Sequence, residues 1–250
     1  MKKILQKTAY ILSRSSTLSR VAKKIVDYHR NENNCEITTN GEFDFIQKNK
    51  NNFKVIFDVG ANVGEWTAIV SELIPEAKVY SFEPSIETFK VLSKQTFNTN
   101  VNLHNIGLGE RNESVNFFIY DNDSTLNSVF NRDTQNMRSE KAHFETLDSF
   151  CALQNIERIS FLKIDTEGNE LSVLKGAEVY LTAGKIDAIQ FEYGGTYIDA
   201  RITLKEVFTF FNNKPYTLYK MLRNGLQECP TYVADLENYQ YSNYIAKRTN

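Results

Sequence analysis

No run of apolar residues in this 250-residue chain approaches the roughly 18 needed to span a bilayer, so no transmembrane helix is expected. Proline is scarce at 4 residues and glycine stops at 11, which excludes a fibrous or low-complexity chain. Charge of neither sign dominates, and a net −2 argues against a generic nucleic-acid binder. Only three cysteines occur, Cys35, Cys151 and Cys229, far apart and odd in number. They form neither a zinc spacing nor a disulfide framework, which points to a reducing, cytoplasmic compartment. What is present, 41% hydrophobic and 24% charged residues over this length, suffices for one α/β domain with an appendage.

The charge is unevenly placed. Residues 1–30 carry Lys2, Lys3, Lys7, Arg14, Arg20, Lys23, Lys24 and Arg30 against Asp27 alone, so the remainder of the chain is acidic. The segment is no secretory signal, because polar residues interrupt its apolar ones every few positions. It reads as two short amphipathic helices. Ile4, Leu5, Thr8, Ile11 and Leu12 share one face, and Leu18, Val21, Ala22, Ile25 and Val26 share another, with Ser15 or Ser16 as a cap. Such an arm packs on the domain or on a second copy of the chain, giving a homo-oligomer. Alternatively, its basic amphipathic surface rests on anionic lipid, a peripheral contact at the inner face of a membrane. Asn31–Asn34 read as the linker that follows, with residues 1–50 taken as arm and linker and 51–250 as the main domain.

From residue 53 short β-rich runs alternate with helical stretches. Strands are predicted at Phe53–Val59, Lys78–Phe82, Asn102–Ile106, Ser160–Ile164 and Ile186–Phe191, and helices at Gly64–Leu73, Ser85–Phe97 and Asn169–Leu181. This alternation predicts an α/β fold, a mostly parallel sheet with helices on both faces. Ser114–Tyr120 reads as an extra strand, and the polar stretch Asp121–Lys141 as a long loop that serves as a lid. Near the end, Tyr216–Leu222 and Tyr241–Lys247 read as an antiparallel strand pair that closes the sheet.

The strongest chemical signal is Asp58-Val59-Gly60-Ala61-Asn62-Val63-Gly64-Glu65-Trp66, set between a buried strand and a helix. Small residues let a backbone approach a ligand closely, and ligands of open α/β sheets lie at the carboxyl ends of the strands. Glu83, in Phe82-Glu83-Pro84, ends the next strand, where an acidic side chain accepts both hydroxyls of a ribose. Together these marks point to an adenosine-type cofactor. A nicotinamide binder normally carries Gly-x-Gly-x-x-Gly, and the Gly60-x-Asn62-x-Gly64 spacing differs from it. Asp58 so close to the turn suits an ammonium-bearing ligand such as S-adenosylmethionine better than a pyrophosphate. The third signal is Lys163, Asp165, Glu167 and Glu170 around one strand end. Charged groups there are costly unless solvated, paired or used, although Glu167 and Glu170 also suit a helix N-terminus.

Taken together, these blocks resemble the FkbM family of S-adenosylmethionine-dependent methyltransferases. Phe57 to Gly64, Ser81 to Pro84, and Leu162 to Glu170 with Leu174 to Gly176 carry the resemblance, the last block being the distinctive one. It runs from about residue 54 to about 220, and the N-terminal arm lies outside it. The resemblance implies a Rossmann-like class I methyltransferase fold with a seven-stranded sheet. It implies O-methyl transfer to a hydroxyl of a sugar, glycoconjugate or secondary metabolite. By it, Asp58, Gly60, Asn62 and Gly64 hold the methionine part and Glu83 binds the ribose, while Asn105 and Ile106 flank the adenine. Ala61 and Trp66 in the first block and Pro84 in the second complete the cofactor set, together with Asp165.

A sugar hydroxyl is a weak nucleophile at neutral pH, so a general base or a metal is expected. Asp165 is the first candidate base, Glu192 at the end of the next strand the second, and His143 beyond the polar loop the third. Asp165 and Glu192 on adjacent strands also make a candidate Mg²⁺ site. Tyr193, Gly194, Gly195 and Tyr197 are a candidate substrate wall, with ordinary packing as the alternative. Two other readings stay open: a nicotinamide-dependent oxidoreductase, and a non-catalytic cofactor-binding subunit of a glycan assembly complex. An amine acceptor fits as well as a hydroxyl.

Overall fold

The computed structural model describes residues 2, 6, 9–10, 13–98, 100–120, 124–132 and 137–249. The first amphipathic face expected, Ile4 to Leu12, falls largely outside these residues, and its apolar positions are all outside them. Helix α1, Ser16–Arg30, begins where the Ser15 side chain accepts from Leu18 N and ends at Asn31 in the left-handed conformation. The following stretch is no linker. Asn31 Nδ2 donates to the carbonyls of Asn40 and Met221, and Glu32 pairs with Lys220 at 2.7 Å, all buried. Helix α2, Glu42–Asn49, puts Phe45 and Ile46 into the core. Residues 31–50 therefore pack as part of the body, because their polar side chains find buried partners that composition alone does not reveal.

Strand β1, Val55–Val59, opens with the apolar run Val55–Phe57 and is buried along nearly its whole length. It is followed by α3 (Glu65–Leu73), β2 (Lys78–Phe82), α4 (Ile86–Leu92), β3 (Val101–His104) and the short β4 (Gly107–Leu108). Next come β5 (Glu113–Tyr120), a 3₁₀ turn at Ser124–Leu126, β6 (Met137–Glu145), α5 (Leu147–Gln154) and β7 (Phe161–Ile164). Helices α6 (Glu170–Lys175) and α7 (Glu178–Thr182) precede β8 (Ala188–Tyr193), α8 (Thr196–Ala200) and α9 (Leu204–Phe211). Strands β9 (Tyr216–Leu222), β10 (Gly225–Glu228) and β11 (Ser242–Arg248) complete the chain.

The main sheet runs β3-β2-β1-β7-β8-β11-β9-β10. The first five strands are mutually parallel, and β11 enters antiparallel between β8 and β9. The expected seven-stranded α/β sheet with its antiparallel closing pair is thus present, and a hairpin adds β10 at the edge as an eighth strand. Phe57, Phe82, Phe150 and Leu162 lie in the largest core cluster, and Phe45, Val70 and Phe161 in a second. Among the described residues no helix is long and apolar enough to cross a membrane.

Three further elements depart from the sequence reading. The helix expected through Phe97 stops at Leu92, where the bonds of Lys94 and Gln95 tighten to the i−3 type. The helix expected over Asn169–Leu181 breaks into α6 and α7 at Gly176, whose carbonyl bonds Asp148 N and whose Cα lies so close to Gly109 O that a Cβ would approach it to 1.9 Å. The polar stretch expected as one long loop ends in β6, which pairs antiparallel with β5 along eight residues. One face of β6 is covered, at Ala142 and Phe144 with Arg138 and Glu140 half-buried beyond them, and Ser139, Lys141 and His143 lie on the open face.

Candidate functional site

The turn from β1 to α3 is built on residues that tolerate positive φ. Gly60 (φ 88°) lies against the carbonyl of Asp165, where a Cβ would come within 1.8 Å, and Asn62 (φ 48°) follows it. Most of the turn's amides are consumed internally: those of Gly60 and Ala61 donate to Phe82 O, and that of Gly64 to Ala61 O. Asn62 N donates to Glu83 Oε2 at 3.0 Å, and Ser85 N donates to Glu83 Oε1 at 2.9 Å. Glu83 is thus a buried carboxylate at the end of β2, clamped by two backbone donors. Burial pushes its pKa up to about 7, with the Ser85 and Asn62 amides opposing the rise. Each of its oxygens retains a further acceptor position, and the residue lines the cavity described below.

Asp58 does not reach that cavity. It is fully buried beneath the turn, accepting from Thr67 Oγ1 at 2.6 Å, with Lys163 Nζ 3.6 Å from its other oxygen. Burial raises its pKa, while Lys163 and Thr67 oppose the rise. Lys163, on the neighbouring β7, lies between Asp58 and Asp165 and donates to Asp165 Oδ2 at 2.9 Å. Burial alone would discharge Lys163, but Asp165, Asp58 and Glu42 together hold it firmly charged. The expectation that Asp58 repels a pyrophosphate therefore needs correction, since Lys163 compensates its charge.

Asp165 and Glu192 follow β7 and end β8, two parallel neighbours, and so share one rim. Burial works to raise Asp165, but the Lys163 ammonium and the hydrogen bond from Glu192 outweigh it and hold Asp165 below the usual carboxylate range. Glu192 moves the opposite way, raised by burial and by the charges of Asp165 and Glu167. The two carboxyls are thus pushed in opposite directions, Asp165 toward the ionised form and Glu192 toward the protonated one. Glu167, in the left-handed conformation at φ 56°, brings a third carboxylate, and one oxygen of each of the three lies within 4.8 Å of the others. Arg132 holds Glu167 at 2.8 Å and reaches Asp199 at 3.6 Å. Glu170 turns inward instead, accepting from Thr166 N, Thr166 Oγ1 and Gly168 N, and caps the loop.

These groups open on one cavity of about 660 Å³ at the carboxyl ends of the parallel strands. Gly60, Ala61, Asn62, Trp66, Glu83, Pro84, Asp165 and Glu192 all line it, so most of the sequence-derived candidates converge. Trp66 Nε1 is buried without a hydrogen-bond partner among the described residues. Gly64 lies outside the lining, its Cα facing Leu92 and Phe97. Asn105 and Ile106 also lie outside it. Asn105 Nδ2 donates to the carbonyls of Glu83 and Pro84 and so braces that loop, while Gly107, Leu108, Phe117 and Phe144 form the wall at this end. His143 is not brought to the cavity. Strand alternation sends it to the face opposite Phe144, where it is exposed and lies 3.4 Å from Glu145. Tyr193 and Tyr197 are fully buried and bond Glu237 and Glu192 O, which is packing; Tyr241 lines the cavity instead.

Of the polar stretch expected as a lid, residues 121–123 and 133–136 lie outside the described residues. Its described part does cover the cavity: Ser124 Oγ donates to Asn62 Oδ1 at 2.9 Å, Ser128 Oγ donates to Glu167 O at 2.9 Å, and Thr125 and Asn127 line the wall. Sequence reasoning missed Cys35, Glu36, Ile37 and Glu42, which line the far side. Nothing local marks them, because they are brought there by the fold of residues 31–50 across β8, β9 and β11. Lys163 was visible only as a charge on an apolar strand.

The model of the methyltransferase FkbM domain matches residues 58–218 of the chain. Methyltransferase 1 of Beauveria bassiana (strain ARSEF 2860) is 28% identical over 149 residues, covering 49% of this chain and 58% of that protein. The crystal structure of methyltransferase FkbM from Methylobacillus flagellatus KT superposes with a TM-score of 0.50 at 18% identity, over 78% of this chain and 44% of that one. The chain therefore spans about half the length of these two relatives.

Proposed function

The chain belongs to the FkbM methyltransferase family, and from that premise we propose that it is an S-adenosylmethionine-dependent O-methyltransferase acting on a hydroxyl of a sugar, glycoconjugate or secondary metabolite. The observation that carries the cofactor reading is Glu83, a carboxylate clamped at the end of β2 with acceptor positions left for two ribose hydroxyls. The chemistry of the cavity fits the rest of such a ligand. Trp66 Nε1 is an orphaned donor in the wall, Gly60 keeps the backbone close, and Leu108, Phe117 and Phe144 offer an apolar surface for a purine. A dinucleotide fits less well, because a pyrophosphate is normally bound by free turn amides and those of Gly60, Ala61, Asn62 and Gly64 are already bonded.

The cofactor supplies an electrophilic methyl on a sulfonium; the chain supplies alignment, exclusion of water and a place for the proton. Asp165 would receive the proton that the acceptor hydroxyl loses when it takes up the methyl group the cofactor would supply. Lys163 keeps Asp165 ionised beforehand, and Glu192, protonated, orients it. A second reading rests on the convergence of Asp165, Glu167 and Glu192, whose hard oxygens suit Mg²⁺. In it Asp165, Glu167 and Glu192 would hold the metal, which would supply Lewis-acid polarisation of the acceptor hydroxyl.

Calorimetric titration with S-adenosylhomocysteine tests the cofactor. Binding that weakens sharply in Glu83→Ala is expected, and its absence in folded wild type, with NADH bound instead, would replace this reading by the oxidoreductase one. An acceptor screen over neutral glycans, run with Mg²⁺ and with EDTA, separates base from metal. Turnover undiminished by EDTA is expected; turnover on no acceptor despite tight cofactor binding would favour a non-catalytic subunit.

A further inference from the structure

Helix α1 is mounted the wrong way round for an ordinary surface helix. Its polar side is tied to the body: Arg30 pairs with Asp235 at 2.7 Å, Lys23 Nζ donates to Gln240 Oε1 at 3.2 Å, and Asn33 Nδ2 bridges Asp27 and Gln240. Its apolar side is open. Leu18, Val21 and Ile25 are 46%, 49% and 65% exposed, Val26 is 47% exposed, and no residue of the helix is buried. Water gains nothing from an apolar stripe held outward on a helix whose polar side is fastened inward.

We infer that α1 is a docking element for an anionic lipid surface. The apolar stripe is the part that enters the boundary between headgroup and acyl chain, and the exposed basic side chains of the same helix, Lys24 at the stripe's edge and Arg20 farther round, supply positive charge to lipid phosphates. Charge decides between lipid and a second copy of the helix. Residues 1–30 hold eight basic side chains against one acid, Asp27, and Asp27 is already bonded to Lys23 at 2.7 Å. Two such helices laid side by side would bring like charge against like charge with no free acid to relieve it. A membrane rich in phosphate headgroups offers the missing countercharge.

The placement also has a consequence for the cavity. The chain leaving α1 is locked by Asn31 and Glu32 and runs directly into the cavity wall at Cys35, Glu36 and Ile37. Docking through α1 therefore holds the cavity in a fixed relation to the lipid surface, which suits an acceptor carried there.

Sedimentation of the full chain with vesicles tests this. Vesicles of phosphatidylcholine mixed with phosphatidylglycerol are expected to capture the protein, and vesicles of phosphatidylcholine alone to capture little. Arg20→Glu with Lys24→Glu is expected to weaken capture about twenty-five-fold or more, at roughly fivefold for each basic side chain beside an anionic surface. Val21→Ser with Ile25→Ser is expected to weaken it comparably, with an unchanged melting temperature, because both side chains are exposed. Equal capture by both vesicle types, no capture by either, or capture untouched by either double variant overturns the inference. So does a dimer in light scattering that reverts to monomer in Val21→Ser with Ile25→Ser, which would assign the stripe to a second copy of the chain.

Discussion

Two carboxylate positions on the rim of one parallel sheet are held by opposite means. Glu83, ending β2, is fixed by the backbone amides of Asn62 and Ser85, and no cation lies among its bonded partners. Asp165, following β7, is fixed by the Lys163 ammonium, which lowers its pKa while that of the neighbouring Glu192 is raised. Backbone donors fix direction but leave burial to raise the pKa; an ammonium at 2.9 Å also keeps the carboxylate charged. The first arrangement suits a static hydrogen-bond acceptor for hydroxyls that keep their protons. The second suits a group that must be ionised before the reaction, at some cost in basicity. The difference lies in what surrounds two chemically similar side chains, and each half of it can be broken separately.

The largest effect is expected from Asp165→Asn, which keeps the shape and removes the proton acceptor. Turnover should fall by up to about four decades, the upper range for a general base, while S-adenosylhomocysteine affinity stays within about threefold of wild type. Rates and calorimetry on the same preparation give both numbers. If affinity fell as far as the rate, Asp165 would be a binding group like Glu83, and the contrast between them would disappear.

Next in size is Lys163→Met, which breaks the Asp58–Lys163–Asp165 chain in the interior. A buried charge stripped of its partner typically costs about 3–5 kcal/mol, and Asp58 would be left in that state. Urea unfolding measures this, and Asp58→Asn in the Lys163→Met background should recover part of the loss. A midpoint unmoved by Lys163→Met would mean that Asp58 is neutral in the native protein. Glu83→Ala should then weaken S-adenosylhomocysteine binding roughly a hundredfold, the order of one or two hydrogen bonds to a charged group at about 1.5–3 kcal/mol each. A melting curve guards against a collapsed turn, since the same carboxylate anchors Asn62.

Much of the fold was legible because its signals are local. The apolar run Val55–Phe57, the positive-φ turn through Gly60 and Asn62, and the strand-end Glu83 each declare themselves within a few residues. The same holds for Asp165 and Glu192, which strand order alone places side by side. What stayed hidden depends on long-range packing. β6 reads as polar because Ala142 and Phe144 are its buried residues, and its alternation also removed His143 from the cavity. Gly176 looks like an ordinary helical residue until Gly109 O is found against it. Glu42 carries no local mark of its role, since the groups that bury it, Gln190 and Asn243, lie 148 and 201 residues away in sequence. A sequence states what a residue is; it is silent on which distant amide will satisfy it.

The smallest effect is the one that separates the two carboxylates by pH alone. In the free protein Glu83 titrates at about 7, raised from 4.5 by burial. The unfolded chain therefore ionises first, and Glu83 contributes a loss of stability as pH climbs from about 4.5 through 7. Two ribose hydroxyls donating to Glu83, as proposed, would favour its ionised form and pull that pKa down. Binding of S-adenosylhomocysteine should then release up to one proton below about pH 7, with affinity rising toward pH 7 by less than tenfold per unit and level above it. Titrations in buffers of different ionisation enthalpy count the proton directly. Glu83→Gln should abolish the release, whereas Asp165→Asn should leave it in place, because Lys163 keeps Asp165 ionised throughout that window. Proton release that survives in Glu83→Gln would move the titrating group elsewhere on the rim and leave the ribose contact without its pH signature.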